Sequence, residues 1–253
     1  NRTPLKIMAI PLILKPKKKY KLNRIGGNHD GGYLIGENSL KKTETLISFG
    51  IDDNWQFEKD FKINNIDCTI QCYDDKPILK YLIKKLIIEI VFLPYRRRLH
   101  FVKYFKNIIE FIKIRKKIHF FQKKIFYDDL KKILTNIKSN NIFLKIDIEG
   151  SEYRILDEII ENQKKIIGIV IEFHDFDYHK NVICDFCKRL NLNLIHIHPN
   201  NYAPRDKEEN PTVIELTFEK DPIILDNNSI LPHELDMKNN ALEKDINLIF
   251  EKV

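Results

Sequence analysis

The sequence predicts an α/β fold: a seven-stranded Rossmann-like sheet, mostly parallel with one antiparallel strand, helices on both faces, and a basic helical insertion. Three observations predict it. Short apolar runs alternate with stretches of helical spacing along most of the chain. The run Ile166-Ile-Gly-Ile-Val-Ile171 is apolar throughout, as in a strand buried on both faces. The last two strand candidates are joined by a loop and not by a helix, which fits a closing antiparallel strand.

The elements follow in order. Residues 1–24 are apolar and then basic, and they lead into Arg24-Ile-Gly-Gly-Asn-His-Asp-Gly-Gly-Tyr33. Two glycine pairs there predict a loop that turns sharply or approaches something closely. Thr45-Leu-Ile-Ser-Phe49 is a strand running into Gly50, and Trp55, Phe57, Phe61 and Ile63 mark a helical stretch behind it. A single glycine at this turn is weak evidence for a dinucleotide fingerprint. Cys68-Thr-Ile-Gln-Cys-Tyr73 is the next strand, ending in Asp74-Asp75. An acid at a strand end about 20 residues beyond the first glycine turn is where a ribose hydroxyl is held, and a solvated turn acid is the competing explanation. Residues 76–117 read as two helices around Pro94. Ile118-His-Phe-Phe121 is a short strand and 128–136 a helix. Beyond the central stretch come the strand at 166–171, a helix at 182–190, strands at 192–198 and 213–218, and a polar tail with a weak helix near its end.

The central stretch is Phe143-Leu-Lys-Ile-Asp-Ile-Glu-Gly-Ser-Glu152. It reads as buried strand, polar turn and helix, and such turns hold ligands at the carboxyl ends of open α/β sheets. Ser151 and Glu152 are explained well as helix cap and helix-start charge. Asp147 and Glu149 are not, and paired carboxylates cluster at functional sites. His174 follows the next strand, within Glu172-Phe-His174-Asp175.

The central block closely resembles the signature of FkbM-type S-adenosylmethionine-dependent methyltransferases. Arg24-Ile-Gly-Gly-x-x-Asp-Gly-Gly-Tyr33, Ser48-Phe-Gly-Ile51 and His196-Ile-His-Pro-Asn-Asn-Tyr202 also look like blocks of one branch of that family. The resemblance runs from about residue 20 to 218 and implies the seven-stranded class I methyltransferase sheet. It implies O-methyl transfer from S-adenosylmethionine to a sugar or glycan hydroxyl. Gly50 would let the backbone approach the cofactor, and Asp74 would take both ribose hydroxyls. Asp30, Asp52 and Asp53 are candidates for the ammonium end. Asp147, Glu149 and His174 are the catalytic candidates, one as base and the others orienting the acceptor or stabilising the sulfonium. His198, Asn200, Asn201 and Tyr202 are the acceptor-side candidates. The glycine-poor turn and the long basic segment depart from the family pattern. The second departure suggests an acceptor-side elaboration.

Two metal readings compete with this. Cys68, Cys72, Cys184 and Cys187 lack the knuckle spacing of a zinc site. Asp147, Glu149, His174 and His198 offer hard oxygens and imidazole suited to Mg or Mn. A divalent ion is the less favoured cofactor, and no metal ligand is assigned.

Charge and composition bound the rest. The net charge of +7 is uneven: between Lys76 and Lys117 thirteen Lys and Arg face only Glu89 and Glu110, a local +11, leaving about −4 elsewhere. That segment is a solvated amphipathic helix pair, a surface for an anionic acceptor, or an anionic membrane face. No base-reading motif accompanies it, so nucleic acid is not expected as a partner. No apolar run approaches the ~20 residues of a membrane span. Four cysteines without a framework favour a reducing, cytoplasmic setting. The chain is expected to be one methyltransferase domain over 1–253, with an N-terminal extension (1–42), the basic insertion (76–117) and a C-terminal tail (219–253). It starts at Asn1, consistent with a segment of a longer polypeptide. The partner expected is a sugar or glycan acceptor, with anionic or lipid-linked forms open. The alternatives are a methyltransferase for a small-molecule or lipid-linked acceptor, and a non-catalytic binding module that uses the basic segment.

Overall fold

The computed structural model describes residues 10–91, 99–207 and 209–251. Seven strands form one sheet: β1 (Thr45–Phe49), β2 (Thr69–Asp74), β3 (His119–Gln122), β4 (Ile142–Ile146), β5 (Ile166–Phe173), β6 (Asn193–Pro199) and β7 (Ile214–Glu219). Their order is 6-7-5-4-1-2-3. β7 is antiparallel to both neighbours, and the other pairs are parallel. This is the class I methyltransferase sheet, with the strand order reversing at β1.

Alternation along the strands supplies both faces with apolar side chains. Ile47, Phe49, Leu144, Ile146, Ile169 and Ile171 enter one core cluster, while Leu46, Ile70, Phe143 and Val170 enter the other. Seven helices are described: α1 (Glu37–Lys42), α2 (Gln56–Asn64), α3 (Ile78–Val91), α4 (Leu99–Ile114), α5 (Asp129–Asn136), α6 (Leu156–Asn162) and α7 (Phe176–Arg189). Helices α5, α6 and α7 supply the first cluster, through residues such as Leu134, Ile159 and Phe186. Phe61 of α2, Leu82 of α3 and Phe111 of α4 belong to the second.

Three expectations need correction or limit. Helix α7 begins at Phe176 and not at 182, because polar residues on its first turns hide a stripe that starts with buried Phe176 and Ile183. The weak C-terminal helix does not form. The tail instead runs back along the N-terminal segment, pairing Ile224–Asp226 with Lys19–Tyr20 and Phe250–Glu251 with Ile10–Pro11. Pro94 and Arg96–Arg98 lie outside the described residues.

The glycine-rich loop is the turn of a hairpin pairing Leu22–Ile25 with Tyr33–Gly36. Gly26 has φ +95, and a Cβ there would lie 2.4 Å from the Gly31 carbonyl oxygen, so the turn closes on itself. The hairpin lies against the sheet and buries Tyr33.

Candidate active site at the carboxyl edge of the sheet

Strand register brings the site together. Phe49 pairs with Tyr73 on one side and Ile146 on the other, so Asp74, Gly50 and Asp147 follow in one rung at the carboxyl edge. Glu172 pairs with Glu215, and Glu215 with His198, which continues the polar row across β5, β7 and β6.

A cleft of about 360 Å³ opens over β1, β2 and β4. That volume falls within the range of small-molecule sites, and the position is the point where the strand order reverses. Asp30, Gly50, Asp52, Asp53 and Asp74 all line it, as do Asp147 and Glu149. Gly50 has φ +76, and a Cβ on it would lie 1.6 Å from the Asp147 carbonyl oxygen. Its close approach is therefore to the chain's own backbone, which brings β1 and β4 together under the cleft. Asp74 Oδ2 accepts from the Ile51 and Asp52 amides at 2.8 and 2.9 Å, and Oδ1 accepts from the Lys76 amide at 2.8 Å. A carboxylate oxygen has two acceptor positions, so one remains, on Oδ1. Asp74 therefore keeps acceptor capacity for a hydroxyl at the cleft, on Oδ1. Asp52 carries a salt bridge to Lys76 at 2.9 Å.

The three catalytic candidates converge. One donor atom each from Asp147, Glu149 and His174 lie within 4.8 Å of one another. Glu149 has φ +54, an uncommon conformation for a residue with a side chain, and it is followed by Gly150 at φ +88. This left-handed turn carries the backbone from β4 back toward Glu152, whose Oε1 accepts from the Ile148 and Gly150 amides at 3.1 and 3.2 Å. The same Oε1 lies 2.9 Å from His174 Nδ1. His174 Nε2 then faces Glu149 at 3.4 Å and Glu172 at 3.8 Å. Burial alone would lower the His174 pKa. The hydrogen bond and charge of Glu152, then Glu172 and Asp147, outweigh it and raise the pKa to about 9.

Tyr33 lies beside this group, its hydroxyl 3.1 Å from Asp147 Oδ2 and 3.0 Å from Glu172 Oε2. A phenol has one proton to donate. Burial, then the charge of Asp147, raises the Glu172 pKa, so Glu172 holds a proton more tightly than a free carboxylate does. Glu172 can then donate to Tyr33 and Tyr33 to Asp147. Asn200 Nδ2 donates to the other Glu172 oxygen at 2.9 Å. Lys145, fully enclosed, donates to the Gly50 carbonyl and stands 3.3 Å from Asp147 Oδ2.

The acceptor-side block divides. Asn200 reaches the site through Glu172. His198 is turned away, with Nε2 3.1 Å from Asn239 Oδ1 and Nδ1 3.6 Å from Asp236. Asn201 donates to the carbonyls of Asn240 and Lys244. These two hold the C-terminal segment, and Tyr202 is exposed. His198 is also absent from the acid–imidazole group. Cys68 and Cys72 are buried in the core, and no four-cysteine group forms among the described residues.

Sequence reasoning missed Tyr33, Lys145 and Glu172 as site residues and took Glu152 only as a helix-start charge. Tyr33 ends the glycine-rich block, and Glu172 is two residues before His174, on the same face of β5. Those were the available signals.

The strand order, and the cleft where that order reverses, are those of the class I methyltransferase fold. Residues 128–221 match the family model described as methyltransferase FkbM domain, so the resemblance read from the central block holds over that segment. No curated protein matches the chain. Solved structures similar to it include a precorrin-6y C5,15-methyltransferase from Geobacter metallireducens GS-15, at 10% identity and TM-score 0.40 over 73% of this chain and 85% of that one. Aeropyrum pernix fibrillarin with natively bound S-adenosyl-L-methionine is similar at 10% identity and TM-score 0.38, over 71% of this chain and 68% of that one. The 23S rRNA methyltransferase ErmE is similar at 8% identity and TM-score 0.40, over 73% and 65%. One expectation is corrected by these neighbours. Nucleic acid was excluded as a partner, but fibrillarin, named as a pre-rRNA processing protein, the METTL16 methyltransferase domain and ErmE are among the similar structures, so the exclusion is withdrawn.

The donor set fits the family's cofactor: carboxylates for an ammonium and a ribose hydroxyl, and lysines for a carboxylate, around a cleft of suitable volume. No described helix is long and apolar enough to cross a membrane.

Proposed function

We propose that the chain catalyses O-methylation of a sugar or glycan hydroxyl at the edge formed by Asp147, Glu149 and His174. The observation that carries this reading is the Glu152–His174 pair. Glu152 Oε1 already accepts from two amides, so it acts as acceptor here too, Nδ1 carries the proton in this contact, and Nε2 is the nitrogen that faces Glu149 and Glu172. A hydroxyl is a poor nucleophile, and in the neutral imidazole, the form that gains population as pH rises toward about 9, Nε2 is placed to take its proton. Asp74 would hold one ribose hydroxyl, with Asp30, Asp52 and Asp53 toward the ammonium. When bound, the cofactor supplies an electrophilic methyl group on a sulfonium. Asp147, held by Lys145 and Tyr33, would orient the acceptor beside it. Most of the rate would come from such positioning.

A metal-free reading is preferred. The positive charges that the clustered carboxylates require are already present, with Lys145 against Asp147 and His174 against Glu149. The sugar preference rests on the family resemblance, and the four free thiols support the cytoplasmic setting. Incubation with labelled cofactor and separate pools of glycans, small hydroxyl compounds and RNA tests the proposal. Label in a glycan hydroxyl, lost on His174→Gln, is expected. Label in RNA alone would overturn the acceptor class.

A further inference from the structure

Helices α3 and α4 turn one stripe each toward the body of the protein, through Ile78 and Leu82 and through Phe111 and Ile114. Each also carries a second apolar stripe that is exposed among the described residues. On α3 this is Ile83, Ile87, Ile90 and Val91, and on α4 it is Val102, Phe105, Ile109 and Ile112. The spacings within both sets are helical, and both inner stripes rest on the same core cluster, so the outer stripes face the same way. Large exposed apolar patches on soluble domains mark interaction sites.

Exposed lysines share this face. Lys80 and Lys84 stand on the outer arc of α3, and Lys106 and Lys113 on that of α4, with Lys103, Lys116 and Lys117 beside them. We infer that the outer face of α3 and α4 docks on an anionic lipid bilayer. The combination decides the occupant. Apolar side chains entering the headgroup boundary, ringed by lysines, match an interfacial helix on an anionic leaflet. A second copy of the chain would bring two faces of the same charge together. A nucleic acid would pair with the lysines but leave seven exposed aliphatic side chains without a partner, with Phe105 as the one exposed ring on the face among the described residues.

The base of the helix pair adjoins the active cleft. Asp74 and Lys76 line both that cleft and a second cavity of about 260 Å³, walled by Ile78, Phe111 and Arg115. Docking would therefore hold the cleft close to the bilayer surface. The inference rests on the helix pair alone and stands or falls separately from the proposed reaction.

Sedimentation with phosphatidylcholine vesicles, with and without phosphatidylglycerol, tests it. Binding to the phosphatidylglycerol vesicles alone is expected. It should weaken about tenfold in the triple variant Ile87→Ser, Phe105→Ser, Ile109→Ser, and also in Lys84→Glu, Lys106→Glu. A circular dichroism spectrum and melting temperature close to those of the parent chain show that each variant is folded. Absence of vesicle binding overturns the inference. So does a dimer in light scattering that the triple variant dissolves, or RNA binding that the serine substitutions leave unchanged.

Discussion

Glu152 Oε1 sits 2.9 Å from His174 Nδ1, joining the turn after β4 to the end of β5. Glu152 is wholly buried, and the same oxygen takes two amides of its own turn. The imidazole is thereby fixed in place and its far nitrogen directed at the catalytic edge.

If Nε2 is the base, His174→Gln should lower kcat by about 10²–10⁴-fold while calorimetry finds unchanged affinity for S-adenosylhomocysteine. Equal losses in affinity and rate would mean that the imidazole supports the fold and not the chemistry.

Glu152→Gln keeps an acceptor oxygen but removes the charge. Glu152 acts through His174, so the readout is the pH profile: kcat should rise with pH toward about 9 in the parent chain. In the variant the rise should move roughly one unit lower. An unmoved profile would detach Glu152 from the base.

Stability should also depend on pH. The folded-state pKa of His174 is raised from 6.5 to about 9, so its stabilisation is full below 6.5 and is lost as pH rises through 9. Glu172 is raised too, so it also binds its proton more tightly when folded. Both make the native state richer in protons than the unfolded chain, and stability falls with rising pH in that window. Thermal melts between pH 6.5 and 9.5 should show Tm falling, with a shallower slope in His174→Gln.

Gly50→Ala should destabilise by roughly 3 kcal/mol, since the new methyl meets the Asp147 carbonyl in a left-handed backbone conformation. Urea denaturation measures this. A neutral result would mean that the two strand ends separate easily.

Asp74→Ala should weaken S-adenosylhomocysteine binding by roughly 1–3 kcal/mol in calorimetry. Chelation should leave activity intact. Activity abolished by chelation and restored by Mn would replace the metal-free reading with an ion held by Asp147, Glu149 and His174.

The seven strands were legible because a sheet buried on both faces writes itself as short apolar runs such as Ile166–Ile171. The ends of those runs announced Asp74, Asp147, Glu149 and His174, since side chains just beyond parallel strands share one rim. The partners of these residues were not legible. Tyr33 meets Asp147 across 114 residues of chain, a contact set by how the hairpin lies on the sheet and by no local pattern. His198 and Asn201 were acceptor-side candidates through the family-like block His196–Tyr202. The returning C-terminal segment, with Asp236, Asn239 and Asn240, encloses them. Sequence alone determined that Asp74, Asp147, Glu149 and His174 reach the carboxyl edge, because that depends on local periodicity. The tertiary structure decided their protonation and pairing, because burial and the nearest charge come from segments far apart in the chain.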